Sequence, residues 1–287
     1  MKIGVIGAGA WGTALAVVAA RGGTDVVLWS YDGEYKHFDG IEMPINIKMT
    51  AYMHDLRDTD AWLVVTPAAY FRQTIRSAHE YYDGQPVIIC TKGAESNTGQ
   101  FMSEILQNEI PECIDMGVLS GPQFAAEVAR GIPTGSTLAG TNDTVLDAGH
   151  DALNKLYLED SDDIIGTEVC GVGKNAVALI CGYNSVVTGE NERAMMFTRA
   201  WNEVMHIGMA MGAQMATFLG LCGIGDLFLS ATSETSRNFS GGAAIARGDT
   251  PNGTVEGIFA LNGLIQRAGD LGIETPVLDE MKRKLKI

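Results

Sequence analysis

Lys2-Ile3-Gly4-Val5-Ile6-Gly7-Ala8-Gly9-Ala10-Trp11-Gly12 opens the chain, and its reading decides the fold. Residues 2–6 form a short apolar run of strand composition, and Gly7, Gly9 and Gly12 follow at G-x-G-x-x-G spacing. Residues 13–23, TALAVVAARGG, have helical composition with a Gly-Gly stop, and residues 25–30, DVVLWS, read as a second strand. Strand, glycine turn, helix and strand within about 30 residues make the βαβ unit of a parallel sheet. At such a turn the first glycine allows the bend, the second lets main chain approach a ligand, and the third lets helix pack on strand. The helix start then offers unpaired N–H groups to an anion. Gly7, Gly9, Ala10, Trp11 and Gly12 are therefore expected to cradle the pyrophosphate of a dinucleotide.

The same alternation continues outward. Strand-like runs fall at 61–67, 86–93, near 117–120, at 134–140 and, as a last short strand, at 163–167 (DIIGT). Helical patterns lie at 68–82, 98–108 and near 143–156. From Glu168 onward strand-like runs stop, and helices are expected over 174–188, 191–212, 214–221, 255–271 and 276–286. The expected fold is an α/β N-terminal Rossmann-type doubly wound parallel sheet over residues 1–167, followed by an all-α domain over 168–287. Two domains suit a chain of 287 residues, because single cores stop growing near ~250–300 residues.

Composition narrows the partners. With 46% hydrophobic and 19% charged residues the chain is an ordinary globular one. A net charge of −15 argues against nucleic acid, whose binding depends on cationic side chains against phosphate. Any anion must then meet a local positive site. The one basic run, Met281–Lys286, reads as a solvated helix end. Cys90, Cys113, Cys170, Cys181 and Cys222 show neither a C-x-x-C pair nor metal-ligand spacing, so reduced, packed thiols and no metal are expected. The first residues lack the apolar core of a signal peptide, and no run of ~18 uninterrupted apolar residues is present. A cytoplasmic protein without membrane insertion is expected.

An acidic residue about 20 positions beyond the glycine turn would take the ribose hydroxyls of NAD, and a basic one a 2′-phosphate. Here the second strand ends Leu28-Trp29-Ser30-Tyr31-Asp32. The absence of a cation at this tip, with Asp32 the nearest carboxylate, favours NAD over NADP, although Ser30 and Tyr31 are able to bond a phosphate. In the second half Lys174 heads the apolar run Asn175–Val187. A lysine is almost never buried without a partner, so it either snorkels from the helix end or serves a site. Asp226, Ser230, Ser236, Arg237 and Asn238 follow within one short span. Such a set is either a polar turn or a pocket for a small phosphorylated molecule, with the guanidinium as a clamp. Lys92 ends a strand, where open α/β sheets bind ligands.

These residues, with the stretches GAGAWGTALA, TKG, LSGPQFAAEVARGIPT, GKNAVALICGYNSVVTGENERAMMF, GLCGIGDLFLSATSETSRN and TVEG, resemble the ordered signatures of NAD(P)-dependent glycerol-3-phosphate dehydrogenases. The resemblance runs over residues 1–32 and 61–280. It implies interconversion of sn-glycerol 3-phosphate and dihydroxyacetone phosphate, which supplies glycerol phosphate for phospholipids. It also points to a homodimer. Position by position it implies Lys174 as catalytic lysine, with Asp226 and Lys92 beside it. Gly121, Gln123, Asn175, Ser230, Ser236, Arg237, Asn238 and Lys92 are implied on the substrate side. Tyr31, Asp32, Lys92, Ala125, Arg237, Val255 and Glu256 join the glycine turn as implied cofactor contacts.

Three departures stand out. Residues 33–60 are shorter than the family's by a helix and lack N-x-x-Y-L-P-G. Gln123 replaces a serine, and Gly173 replaces a bulkier apolar residue before the lysine. Two other readings share the plan: a β-hydroxyacid or ketopantoate-type reductase, and a nucleotide-binding sensor without turnover. The second has no use for an acid-base lysine.

Overall fold

The computed structural model describes residues 1–96 and 98–285. These residues cluster into two compact units. The first comprises Met1–Lys92, Met102–Leu119 and Gln123–Ile164; the second comprises Gly93–Phe101, Ser120–Pro122 and the chain from Ile165 onward.

In the first unit, β1 (Lys2–Ile6), β2 (Asp25–Trp29), β3 (Ile47–Thr50), β4 (Ala61–Val64), β5 (Val87–Ile89), β6 (Met116–Ser120), β7 (Gly135–Gly140) and β8 (Tyr157–Ser161) form one sheet. Their order is β3-β2-β1-β4-β5-β6-β7-β8. The strands from β3 to β6 run parallel, as do β7 and β8 with each other. The order reverses between β1 and β4, the point outside whose carboxyl ends such sheets bind ligands. Helices α1 (Ala10–Arg21), α2 (Ala68–Ala78), α3 (Met102–Glu109), α4 (Ala125–Arg130) and α5 (Asp143–Ala152) surround it.

Alternation along each strand builds two cores. Ile3, Val5, Val26, Leu28, Leu63 and Ile88 pack with Leu15, Ala16 and Ala19 of α1 and with Val145 of α5. Ile6, Val27, Trp62, Val64, Val87 and Ile89 face the other way, onto Phe71 and Ile75 of α2 and Ile105 and Leu106 of α3. With both faces covered, the strands must be apolar at every position, which explains their unbroken hydrophobic runs. Each fully buried Ile or Leu contributes roughly 1.5–3 kcal/mol.

Between β2 and β3, residues 31–46 hold no helix. They form an ordered strap laid back over the start of α1. Gly33, at φ +78°, turns the chain after Asp32, whose Oδ1 accepts the Glu34 N–H at 3.1 Å. The Lys36 N–H donates to the Ala8 carbonyl at 3.1 Å and to Thr13 Oγ1 at 3.3 Å. Tyr35, Phe38, Ile41 and Met43 pack onto the cores beneath. The segment that lacks the family's helix thus covers apolar surface as a strap.

The second unit is helical: α6 (Ile164–Val187), α7 (Glu190–Ala210), α8 (Met215–Leu219), α9 (Asp226–Thr232), α10 (Arg237–Arg247), α11 (Glu256–Leu271) and α12 (Pro276–Leu285). Val169, Val172, Val177, Leu179 and Ile180 of α6 lie at the centre of a core shared with Ala200, Val204, Leu261, Leu264, Val277 and Leu278. Among the described residues, Ile164–Val187 and Met215–Thr232 are long and apolar enough to cross a membrane, but most of the former is buried inside the fold. A helix apolar on every side is what a core centre requires.

Several expectations are corrected. DIIGT is not a strand: from Ile164 on it is the first turn of α6, so α6 begins upstream of the expected boundary at 167/168 and Lys174 stands mid-helix. The last strand is β8, residues 157–161, just past a helix that ends at Ala152. The 98–108 helix begins only at Met102. Strand β3 and helices α4, α9 and α10 were not anticipated. In the expected 276–286 helix, Lys286 lies outside the described residues.

Candidate active site

In the first unit the glycine turn sits at the carboxyl end of β1. Gly7 holds φ +117°, a left-handed conformation that favours glycine. A Cβ on Gly12 would collide with the Gly7 carbonyl oxygen, so only glycine lets α1 start this close to the strand. The cap of α1 is Gly9, with no side chain on its first N–H groups. Nothing lies within 4 Å of where a Gly9 Cβ would be. The result is an open helix N-terminus with its dipole and donors directed outward.

Three further polar atoms of this unit fit a dinucleotide. Trp11 Nε1, Ser30 Oγ and Thr66 Oγ1 are buried and bond no protein atom. Such groups are costly without a partner, and a cofactor's phosphates, ribose and amide would satisfy them. Thr66, just past β4, gave no signal in the sequence beyond its place at a strand end. Tyr31 is exposed, and Asp32 is partly committed to the strap through Glu34. Both amide atoms of Gln123 are likewise buried without a protein partner. Ala125 is the first residue of α4, and Lys92 follows β5.

In the second unit the chain gathers side chains from distant positions. Lys174 Nζ donates to Asp226 Oδ1 at 3.0 Å and to Ser230 Oγ at 3.0 Å. The lysine side chain is 14% exposed and the aspartate 1%. Snorkelling is thereby excluded, because the ammonium turns inward to a buried carboxylate. Asp226 and Ser230 share a face of α9 one turn apart, and the Ser230 hydroxyl also bonds Asp226 Oδ1 at 3.3 Å. The preceding residues Leu221–Gly225 kink at Gly223, which brings α9 in with Asp226 as its first residue. The ring of Pro122 lies over Gly225, which places Gly121 in the same neighbourhood.

Gly173 does not loosen the lysine. A Cβ there would strike the side chain of Val204, so α7 fills the space that a larger residue would take. Ser236 caps α10, its Oγ accepting the Phe239 N–H at 3.4 Å. Arg237, exposed on the first turn, adds a cation to a helix N-terminus, where neither the dipole nor packing rewards it. An anion would meet both. Asn238 bonds Asn175 at 2.8 Å and accepts the Gly257 N–H at 2.8 Å. Val255 and Glu256 precede that glycine at the start of α11.

A parallel sheet with an open glycine-rich turn at its switch point, joined in one chain to a helical unit holding a buried ammonium–carboxylate pair, defines the class of nicotinamide-dinucleotide oxidoreductases. Comparison narrows the class. The family model for the N-terminus of NAD-dependent glycerol-3-phosphate dehydrogenase matches residues 2–146, and that for the C-terminus matches residues 163–286. The glycerol-3-phosphate dehydrogenase [NAD(P)+] of Parvibaculum lavamentivorans is 38% identical, over 98% of this chain and 91% of that one. That of Paramagnetospirillum magneticum is 40% identical, over 86% and 94%. The crystal structure of glycerol-3-phosphate dehydrogenase from Coxiella burnetii superposes with a TM-score of 0.92 at 29% identity, covering 99% of this chain and 94% of that one. The chain belongs to the NAD-dependent glycerol-3-phosphate dehydrogenase family.

Proposed function

We propose that Lys174 is the proton donor in reduction of a phosphorylated ketone, held in place by Asp226 and Ser230, and that Arg237 with Ser236, Asn175 and Asn238 forms the phosphate site. As a family member the chain interconverts sn-glycerol 3-phosphate and dihydroxyacetone phosphate, using NAD or NADP. The bound coenzyme supplies the hydride. Its arrival at the ketone carbon puts negative charge on the oxygen, which an ammonium in hydrogen-bond reach stabilises and protonates. Holding the remote phosphate fixes the carbon in position. The family resemblance assigns Lys92, Gly121 and Gln123 to the substrate side as well.

One observation carries this reading: the buried Lys174 ammonium bonded at 3.0 Å to both Asp226 and Ser230. A buried pair of this kind is a poor source of stability, so its presence argues for chemistry. On the cofactor side Gly7, Gly9, Ala10, Trp11 and Gly12 take the pyrophosphate. The family resemblance adds Tyr31 and Asp32 toward the ribose, and Ala125, Val255, Glu256, Lys92 and Arg237 as further cofactor contacts. A dinucleotide-binding half and a catalytic half divide near the start of α6, with Lys92, Gly121 and Gln123 lent to the substrate side and Arg237, Val255 and Glu256 lent to the cofactor. Residues 30–32 bear no cation, which favours NAD.

The product serves phospholipid synthesis. Five free, buried cysteines support a reducing, cytoplasmic setting. Exposed Val186, Val187, Met195 and Met209 on α6 and α7 support a homodimer. The test is Lys174→Ala assayed with dihydroxyacetone phosphate. Turnover is expected to fall roughly 10²–10⁴-fold with coenzyme KM little changed; near-normal turnover overturns the assignment. NADH and NADPH oxidation measured side by side decides the coenzyme.

A further inference from the structure

Between β5 and α3 the chain changes unit for a short stretch. It leaves the sheet unit after Lys92, packs with the helical unit over Gly93–Phe101, and rejoins the sheet unit at Met102. The stretch is a tight finger. The Glu95 N–H donates to the Gln100 carbonyl at 2.9 Å, the Gly99 N–H donates to the Glu95 carbonyl at 2.8 Å, and Gly99 turns the chain at φ +68°. Ala94 and Phe101 pair across its base and are buried in the helical core. One face of α11 receives the finger, since Gly263, Gln266 and Arg267 stand at i, i+3 and i+4. A Cβ on Gly263 would come within 3.1 Å of the Ala94 Cβ, and one on Gly99 would touch Gln266. The Arg267 guanidinium donates to the Gly99 carbonyl at 3.1 Å and lies 5.3 Å from the centre of the Phe101 ring. It thus grips the finger near its tip and at its base together.

We infer that Arg267 is a positioning residue for Lys92. By clamping the finger to α11 it fixes Gly93, which is one peptide bond from Lys92, and so sets the main-chain conformation from which the Lys92 side chain is presented. On its other side Lys92 is held through Thr91, whose hydroxyl donates to the Thr66 carbonyl at 2.7 Å. Without the guanidinium, the restraint beyond Lys92 rests on the packing of Ala94 and Phe101. An ammonium acts on a bound anion only from a fixed place, and a displacement of about 1 Å at a reacting centre costs up to about a hundredfold in rate. The inference rests on the placement of Lys92 at substrate and coenzyme that the family resemblance implies.

The test is a double-mutant cycle over Arg267→Met and Lys92→Ala, read as kcat/KM with dihydroxyacetone phosphate and NADH and, in the same four proteins, as Tm. Arg267→Met is expected to lower kcat/KM about three- to thirtyfold while Lys92 is present, and by no more than about twofold once Lys92 is alanine. Its loss of Tm should be the same in both backgrounds. Arg267→Lys keeps a cation over the ring without the planar fork, and should fall between. Equal losses of kcat/KM in both backgrounds would make Arg267 a structural residue and overturn the inference, as would a loss of Tm with kcat/KM intact. If Arg267→Met does not fold, Arg267→Lys takes its place in the cycle, with the same non-additivity expected. A Lys92→Ala enzyme of undiminished kcat/KM would sink the placement of Lys92 and the inference with it. An impaired Lys92→Ala enzyme beside an indifferent Arg267→Met one sinks the positioning alone.

Discussion

The glycine-rich turn of the first unit and the polar cluster of the second present hydrogen-bonding groups by opposite means. At the turn the donors are main-chain N–H groups left open because no side chain caps α1. In the cluster they are side chains, each braced by another: Lys174 by Asp226 and Ser230, Asn175 by Asn238. A main-chain donor survives most changes of its own side chain and is lost when proline removes the N–H or when a Cβ closes the approach. A braced side chain is deleted by one substitution, and its partner is then left buried and unpaired. The α12 N-terminus makes the contrast sharper. There Glu203 of α7 fills the position that stays open at α1, accepting the Val277 N–H at 2.8 Å and the Leu278 N–H at 3.0 Å.

Four substitutions break the comparison, in falling order of effect. Asp226→Leu strands a buried ammonium. It should cut turnover at least a hundredfold and destabilise by about 3–5 kcal/mol, read from kcat and from denaturant unfolding. Gly12→Val closes the turn by collision with Gly7 and is expected to abolish coenzyme binding, measured by NADH fluorescence; retained affinity would mean the pyrophosphate sits elsewhere. Glu203→Ala leaves two N–H groups of α12 without acceptors and should cost about 1–3 kcal/mol, a Tm loss of several degrees with KM unchanged.

The smallest effect, about 1 kcal/mol, is expected for Glu109→Gln. Glu109 bonds Arg72 at 2.7 Å and Arg76 at 2.9 Å, and these guanidinium groups, Arg76 first, hold its carboxyl below the ordinary glutamate value. A depressed acid stabilises the fold above its unfolded value, and that contribution is lost as pH falls through its folded value. Glu203 has the opposite sign: burial pushes its carboxyl up, against the pull of its two N–H bonds. Its contribution is greatest when protonated and declines as pH rises through the raised value. Tm-against-pH profiles should therefore lose an acid-side slope in Glu109→Gln and a slope of opposite sign in Glu203→Ala.

The same contrast explains what could be read without coordinates. The turn was legible because a local rule writes it: a strand, three glycines and a helix within one short span. The cluster was legible in residue type only, since Lys174 lies 52 and 56 positions from its partners and periodicity carries no such pairing. Had Asp226–Thr232 been read as a helix, the one-turn spacing of Asp226 and Ser230 would have shown a shared face. Serine and threonine there disfavour helix interiors, and tertiary packing overrides them. DIIGT failed for another reason, because a short apolar run fits a strand and a buried helix equally well. β8 has exposed and half-buried residues only, so it lacked the apolar alternation of a strand. Gly257 and Val204 were invisible because one acts through its peptide N–H and the other through volume beside Gly173.

The strap over α1 has a consequence in time. The Lys36 amide bonds both Ala8 and Thr13, so it exchanges with solvent only when strap and glycine turn part. Local openings of this sort are cooperative, and a ligand that binds the closed form suppresses them in proportion to its occupancy. The Lys36 amide is thus a built-in reporter: its deuterium uptake should slow as dinucleotide is added, and the slowing measures how far the opening of the strap is coupled to the departure of the cofactor.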